Sequence, residues 1–191
     1  FVGDFFLDQY LDIDRRLEET SIETGLPAHQ VTGIRNSPGA AGNVATNLAS
    51  LGVQTSALTV LGKDGNGYEL LRQLQNHNID TQSIISASTR VTPTYTKPMM
   101  REPDGRTHEL SRLDIKNRAV MPLEVQQQIV EKLDMLVENV NGLIIADQVE
   151  EANHGVVTEI VQARLIELAH HLPQKIMVVD SSCRIGRYPG L

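Results

Sequence analysis

The stretch Ser37–Gly52, SPGAAGNVATNLASLG, decides the fold. Its first half is a loop of small residues, Gly39, Ala40, Ala41 and Gly42, and its second half is an amphipathic helix from Asn43 onward. Val44, Leu48 and Leu51, with Ala45 and Ala49 beside them, fall on one helical face. Gly52 follows where a left-handed helix stop is expected. A loop this bare either turns tightly for packing or lets a ligand reach the backbone without interference from Cβ atoms. Asn43 can donate and accept, which suits a ligand hydroxyl; as an N-cap it would serve only the helix.

Working outward, TSALTVLG (Thr55–Gly62) reads as a buried strand, and GYELLRQLQNH (Gly67–His77) as a helix with Leu70, Leu71 and Leu74 inward. The second half repeats the alternation. Pro122 suits a first helical position, and Ile129, Val130, Leu133, Leu136, Val137 and Val140 carry an apolar stripe. GLIIAD (Gly142–Asp147) is a short buried strand. Val157, Ile160, Val161, Leu165, Leu168, Ala169 and Leu172 form a second helical face ended by Pro173, and KIMVVD (Lys175–Asp180) is the next strand. Strands separated by helices imply parallel pairing with right-handed crossovers.

Two excursions break this texture. LDIDRRLEETSIETGLPAHQVTGIRNS (Leu11–Ser37) is polar and extended, and VTPTYTKPMMREPDGRTHEL (Val91–Leu110) has short alternating segments around Asp104-Gly105, a hairpin dipeptide. Together they predict a small sheet standing apart from the main layer, able to act as a flap. In open α/β sheets, ligands collect at the carboxyl ends of the strands. There the sequence places Asp4, Asp64, Asp147 and Asp180, whose repetition suits a polyhydroxylated ligand; singly, each would cap a helix.

Composition excludes several classes. With 17 basic against 24 acidic residues, the formal net charge is −7 and the basic residues form no run, which argues against nucleic acid and anionic membranes as partners. No apolar stretch approaches the roughly 20 residues that span a bilayer. Cys183 is the only cysteine, so no intramolecular disulfide forms; a buried or incidental thiol in a reducing cytoplasm is expected. GKDGNG (Gly62–Gly67) lacks the order of a phosphate loop and reads as a strand-to-helix turn. The six histidines show no metal-ligand spacing, and there is no GxSxG elbow. The first residues, FVGDFFLD, read as the end of a strand, and RYPGL closes without a terminal helix; both ends are expected to be cut.

The combined pattern resembles the ribokinase/PfkB family of carbohydrate kinases. Its first signature is matched by Gly39-Ala40-Ala41-Gly42-Asn43-Val44-Ala45, then Gly52 and Gly62 at the family's spacing. GDFFLD (Gly3–Asp8) is similar to the family's first strand end. TPTYTK (Thr92–Lys97), SRLD (Ser111–Asp114) and VVDSSCRIGRYPG (Val178–Gly190) resemble the branch that phosphorylates heptose 7-phosphate. The resemblance implies an α/β, ribokinase-like three-layer sandwich with a mostly parallel central sheet and a small β lid, approximately residues 12–36 and 91–113. It further implies that Asp4 and Asp8 hold sugar hydroxyls, that Gly39, Ala40, Gly42 and Asn43 line the same pocket, and that Lys97 and Arg112 face a sugar phosphate. ATP and Mg²⁺ as cofactors, and a homodimer through the lid, follow from the same resemblance.

Two departures stand out. Ala40 occupies a position where that branch usually has a second Gly, and Ser181-Ser182 follow Asp180 where heptose kinases typically have Pro-Lys. The family's second signature, a Gly-Ala-Gly-Asp segment carrying the catalytic base, does not occur in these 191 residues. The expectation is therefore the substrate half of a sugar kinase, with catalytic base and nucleotide site beyond residue 191. A non-catalytic sugar-binding or regulatory module of the same fold is the alternative, and an unrelated α/β oxidoreductase domain the third reading.

Overall fold

The computed structural model describes all 191 residues. Strand β1 (Val2–Gly3) passes through Asp4 into the long β2 (Phe5–Asp14). The short β3 (Glu19–Thr20) and β4 (Pro27–Ala28) pair as a hairpin, and β5 (Val31–Ala40) leads into α1 (Ala41–Ser50). Next come β6 (Val60–Gly62), α2 (Gly65–Asn76), β7 (Ile85–Ala87), β8 (Thr94–Arg101), β9 (Thr107–Glu109) and β10 (Leu113–Ile115). The last four are α3 (Leu123–Asn139), β11 (Gly142–Asp147), α4 (Glu159–His171) and β12 (Ile176–Ser181).

The central layer is parallel throughout. β11 lies between β1 and β12, β6 pairs with β7, and a parallel bridge from Val2 to Leu58 joins the two groups. Because side chains alternate along a strand, the sheet has two apolar faces. Leu58, Val60, Leu143 and Ile145 pack against Ile129 and Leu133 of α3 and Val161 and Leu165 of α4. Ala57, Leu61 and Ala146 face the other way, towards Ala45 of α1 and Leu70 and Leu74 of α2. Each such leucine, fully buried, contributes roughly 1.5–3 kcal/mol. The expected three-layer α/β arrangement is therefore present.

The helices are bounded much as the sequence predicts. Asp64 caps α2 by accepting from the Gly67 N–H, Thr158 caps α4, and Pro122 precedes the first residue of α3. Gly52 has the positive φ of a left-handed stop, 86°. One face was misjudged. α1 buries Ala41, Gly42 and Ala45, while Val44 and Leu51 are exposed, because only small residues fit where the helix presses on β5 and Phe5. Ile160 likewise faces solvent, and Val157 precedes α4 rather than belonging to it.

The second sheet stands apart, in the order β10–β8–β2–β5 with β9 on β8. β2 is antiparallel to β5 and parallel to β8. The β8–β9 hairpin turns at Asp104-Gly105, where Gly105 has φ +88° and Asp104 accepts from the Arg106 N–H. The sheet takes in Phe5–Asp14 and Val31–Ala40, so it begins closer to the body than residue 12 and ends at Ile115 rather than 113. Its inner face carries Phe6, Asp8, Tyr10, Tyr95 and Lys97. On its outer face Ile34 and Leu113 are each 62% exposed. No helix is long and apolar enough to cross a membrane.

Candidate active site

A cleft open to solvent at its mouth lies where the carboxyl ends of β1 and β11 and the start of β6 meet the inner face of the lid sheet. Phe6 and Tyr95 roof it from the lid, and Lys116, Asn117 and the loop after β11, including Glu151 and His154, complete its lining. Asn117 fixes the root of the lid. Its side-chain amide donates to the Val91 carbonyl at 2.8 Å and accepts from the Val91 N–H at 3.0 Å, tying the outgoing chain to the returning one.

Asp8 adjoins this cleft along the lid. It sits two residues after Phe6 and directly opposite Tyr95 in the β2–β8 register, so the three share one face. Phe6 and Tyr95 meet edge to face, ring centroids 5.2 Å apart. The Asp8 carboxylate lies over Gly39, where a Cβ would come within 3.0 Å of it, and 3.3 Å from the Lys97 ammonium. Lys97 is partly buried, which works against its charge, but the Tyr10 hydroxyl and Asp8 outweigh burial and raise its pKa. Arg112 packs 4.2 Å over the Tyr95 ring and is held by both oxygens of Asp114. Both cations expected to face a phosphate thus already have carboxylate partners.

The other strand-end carboxylates are committed internally. Asp4 lines the cleft, but its oxygens accept from the backbone N–H groups of Gln148, Val149 and Val156. Burial pushes its carboxyl above the ordinary range, the three N–H donors oppose this, and the charge of Asp147 adds to the rise. Asp64 accepts from Gly67 of α2 and from the Thr92 N–H at the lid root. Asp147 faces inward to Ser181, Tyr188 and Arg184. Asp180 is exposed and accepts from Gln148. Each of these four carboxylates thus already accepts a hydrogen bond from the chain itself.

The bare loop has mixed causes. Gly39 makes room for Asp8, and Gly42 for Pro38, whose Cβ would lie 2.5 Å from an added methyl. Ala40 adopts φ 51°, ψ −123°, a conformation that glycine takes up freely and alanine only under strain. Asn43 is exposed on the first turn of α1. Of the eight residues expected at the site, only Asp4 lines the cleft itself; Asp8, Gly39 and Lys97 form a contiguous cluster beside it.

Sequence reasoning overlooked Phe6, Tyr95, Arg90, Asn117 and the loop after Asp147. Tyr95 was accessible from period-two alternation with Lys97; Arg90, buried at the lid root, left no such signal. Cys183, expected buried or incidental, is exposed.

Among known proteins, the model of pfkB family carbohydrate kinases matches residues 7–166. The chain belongs to the pfkB family of carbohydrate kinases. The bifunctional protein HldE of Geobacter sulfurreducens is 28% identical over 189 residues, 99% of this chain and 36% of its own length. HldE of Geobacter metallireducens is 30% identical over the same span, again covering 36% of its length. The chain thus spans little more than a third of the curated relatives it matches. Phosphofructokinase-2 from Escherichia coli, solved with fructose-6-phosphate, superposes with a TM-score of 0.59 at 19% identity, covering 96% of this chain and 54% of that one. An uncharacterized sugar kinase from Pyrococcus horikoshii, solved with ATP, gives 0.56 at 18% identity, covering 98% and 54%. These neighbours share the ribokinase-like fold.

No group of three or more His, Cys, Asp or Glu side chains is arranged to hold a metal ion. In the GKDGNG turn the Gly67 N–H is taken by Asp64 and the Gly62 N–H by the Thr92 hydroxyl, so neither is free to cradle a phosphate.

Proposed function

We propose that the cleft and the adjoining Asp8 cluster bind a sugar or sugar phosphate, and that the complete protein phosphorylates one of its hydroxyls with ATP as donor. Family membership supports the reaction class. The observation that carries the site is the Asp8 carboxylate poised over Gly39 beside an aromatic-roofed cleft. A carboxylate accepts from two hydroxyls at once, and the absence of a side chain at Gly39 gives the Asp8 carboxylate the room to stand there. Asp8 orients the acceptor, Tyr95 and Phe6 cover the apolar edge of the ring, and the lid keeps water from the reacting oxygen. Lys97 and Arg112 favour an anionic substituent, which would displace their present carboxylate partners.

We assign the nucleotide site and the base that takes the hydroxyl proton to the part of the protein outside these residues. Coverage of about half of each solved neighbour supports this, as does the outer face of β12, where Ile176 and Val178 lie exposed. A cytoplasmic homodimer joined through the exposed outer face of the lid completes the proposal.

The test is ADP release by the complete protein with ATP, Mg²⁺ and a panel of hexoses, heptoses and their phosphates. Sugar-dependent ADP release is expected. Saturable sugar binding without ADP release would instead establish a binding module, and neither would remove the sugar site.

A further inference from the structure

The wall of the cleft formed by Gln148–Val156 has no regular secondary structure, yet it carries Glu150, Glu151 and His154 into the site. Arg184 donates to the Val149 and Glu150 carbonyls and the Met121 N–H to the Asn153 carbonyl, and two buried, oppositely charged side chains grip the two ends of the loop. Asp4, 3% exposed, accepts from the N–H groups of Gln148 at 2.9 Å, Val149 at 3.1 Å and Val156 at 2.7 Å, gripping both ends of the loop. Arg90, 6% exposed, donates to the Ala119 carbonyl at 2.7 Å and to the His154 carbonyl. Gly155 seals the contact: a Cβ there would stand 2.7 Å from Asp4 Oδ1.

Neither charge has an ion-pair partner within bonding distance; each is bonded to backbone groups only, and Arg90 Nε has no partner at all. Burying charges this way is costly, and a packed apolar pair would stabilise the fold better. Three converging N–H groups nevertheless require an acceptor-only group, which an amide is not. Arg90 also sits at the root of lid strand β8, two residues before Thr92, whose N–H and hydroxyl are bonded to Asp64 and Gly62.

We propose that Asp4 and Arg90 are positioning residues that touch no substrate: together they fix the Gln148–Val156 wall, and Arg90 couples that wall to the lid root. This assignment rests on the reading of the cleft as the sugar site.

Asp4→Asn, Arg90→Met, Arg90→Lys and Gly155→Ala would be made in the complete protein. Hydrogen–deuterium exchange is followed at Gln148–Val156 and in α3 and α4, and steady-state kinetics are measured with ATP and either fructose 6-phosphate or a heptose 7-phosphate. The expected result is loop exchange faster by about tenfold or more with α3 and α4 unchanged. KM for the sugar should rise about tenfold while kcat stays within about threefold, with Arg90→Lys recovering part of the loss. Gly155→Ala, which keeps both charges, decides the matter should Asp4→Asn fail to fold. Exchange that accelerates equally in α3 and α4, or an unchanged loop with unchanged KM, overturns the proposal. If the wild type turns over no sugar of the panel, the kinase reading falls, and loop exchange alone decides the role of the two residues.

Discussion

At the scale of single residues, Asp8 and Ala40 bear the most weight. Removing the Asp8 carboxylate takes away the proposed hydroxyl acceptor and frees Lys97 from its partner. Asp8→Ala in the complete protein should lower sugar-dependent turnover by at least about a hundredfold, the scale of a misplaced acceptor, with little change in thermal stability. Unchanged turnover would take Asp8 out of the site. Ala40 gives the opposite forecast. Its φ of 51° with ψ −123° strains any residue with a Cβ by about 1–3 kcal/mol, and relief by glycine outweighs the ~0.5–1 kcal/mol of added unfolded-state freedom. Ala40→Gly should therefore raise stability by about 1 kcal/mol, read as a shifted urea midpoint at constant slope. The departure from the family pattern noted in the sequence thus falls on a backbone position that favours glycine.

At the scale of elements, periodicity was a good guide wherever a helix or strand packs with large side chains. The stripes of α2 and α3 and the strands GLIIAD and KIMVVD are found where the pattern places them, because Leu, Ile and Val face a flat sheet. α1 misled because its buried contacts use alanine and glycine against Pro38 and Phe5, and small residues leave no periodic hydrophobic signal. The strand-end carboxylates were visible but their partners were not: Asp4 is bonded to Val156, 152 positions away. Long-range satisfaction of a polar group has no local signature. α2 also sets an acid limit on stability. Arg72 holds the Glu69 carboxyl down to about 2, with Gln73 and Asn36 assisting against burial. Because the folded pKa is depressed below the ordinary 4.5, this contribution is whole above that value and fades as pH falls from about 4.5 towards 2. Glu69→Gln should flatten the loss of stability across that window in urea titrations, and an identical pH profile would count against the ion pair.

At the scale of the whole molecule, the lid sheet presents two chemically distinct faces. The inner one is aromatic and charged; the outer one exposes Val31, Ile34, Leu113 and Ile115. Apolar surface gathered on one side of a sheet favours a second copy over solvent. In the proposed dimer, Ile34→Lys combined with Leu113→Lys should shift the complete protein from dimer to monomer in sedimentation velocity while far-UV circular dichroism is retained. A dimer undisturbed by both lysines would place its interface elsewhere.

The pairing of Val2 with Ile145 has a consequence for biosynthesis. Strand β1 leaves the ribosome with no permanent neighbour on its β11 side until 143 further residues have been polymerised, on the order of ten seconds at cellular elongation rates. Throughout that interval the β11 edge of β1 is a natural target for chaperones, whereas β2 already has β5 and β8 beside it.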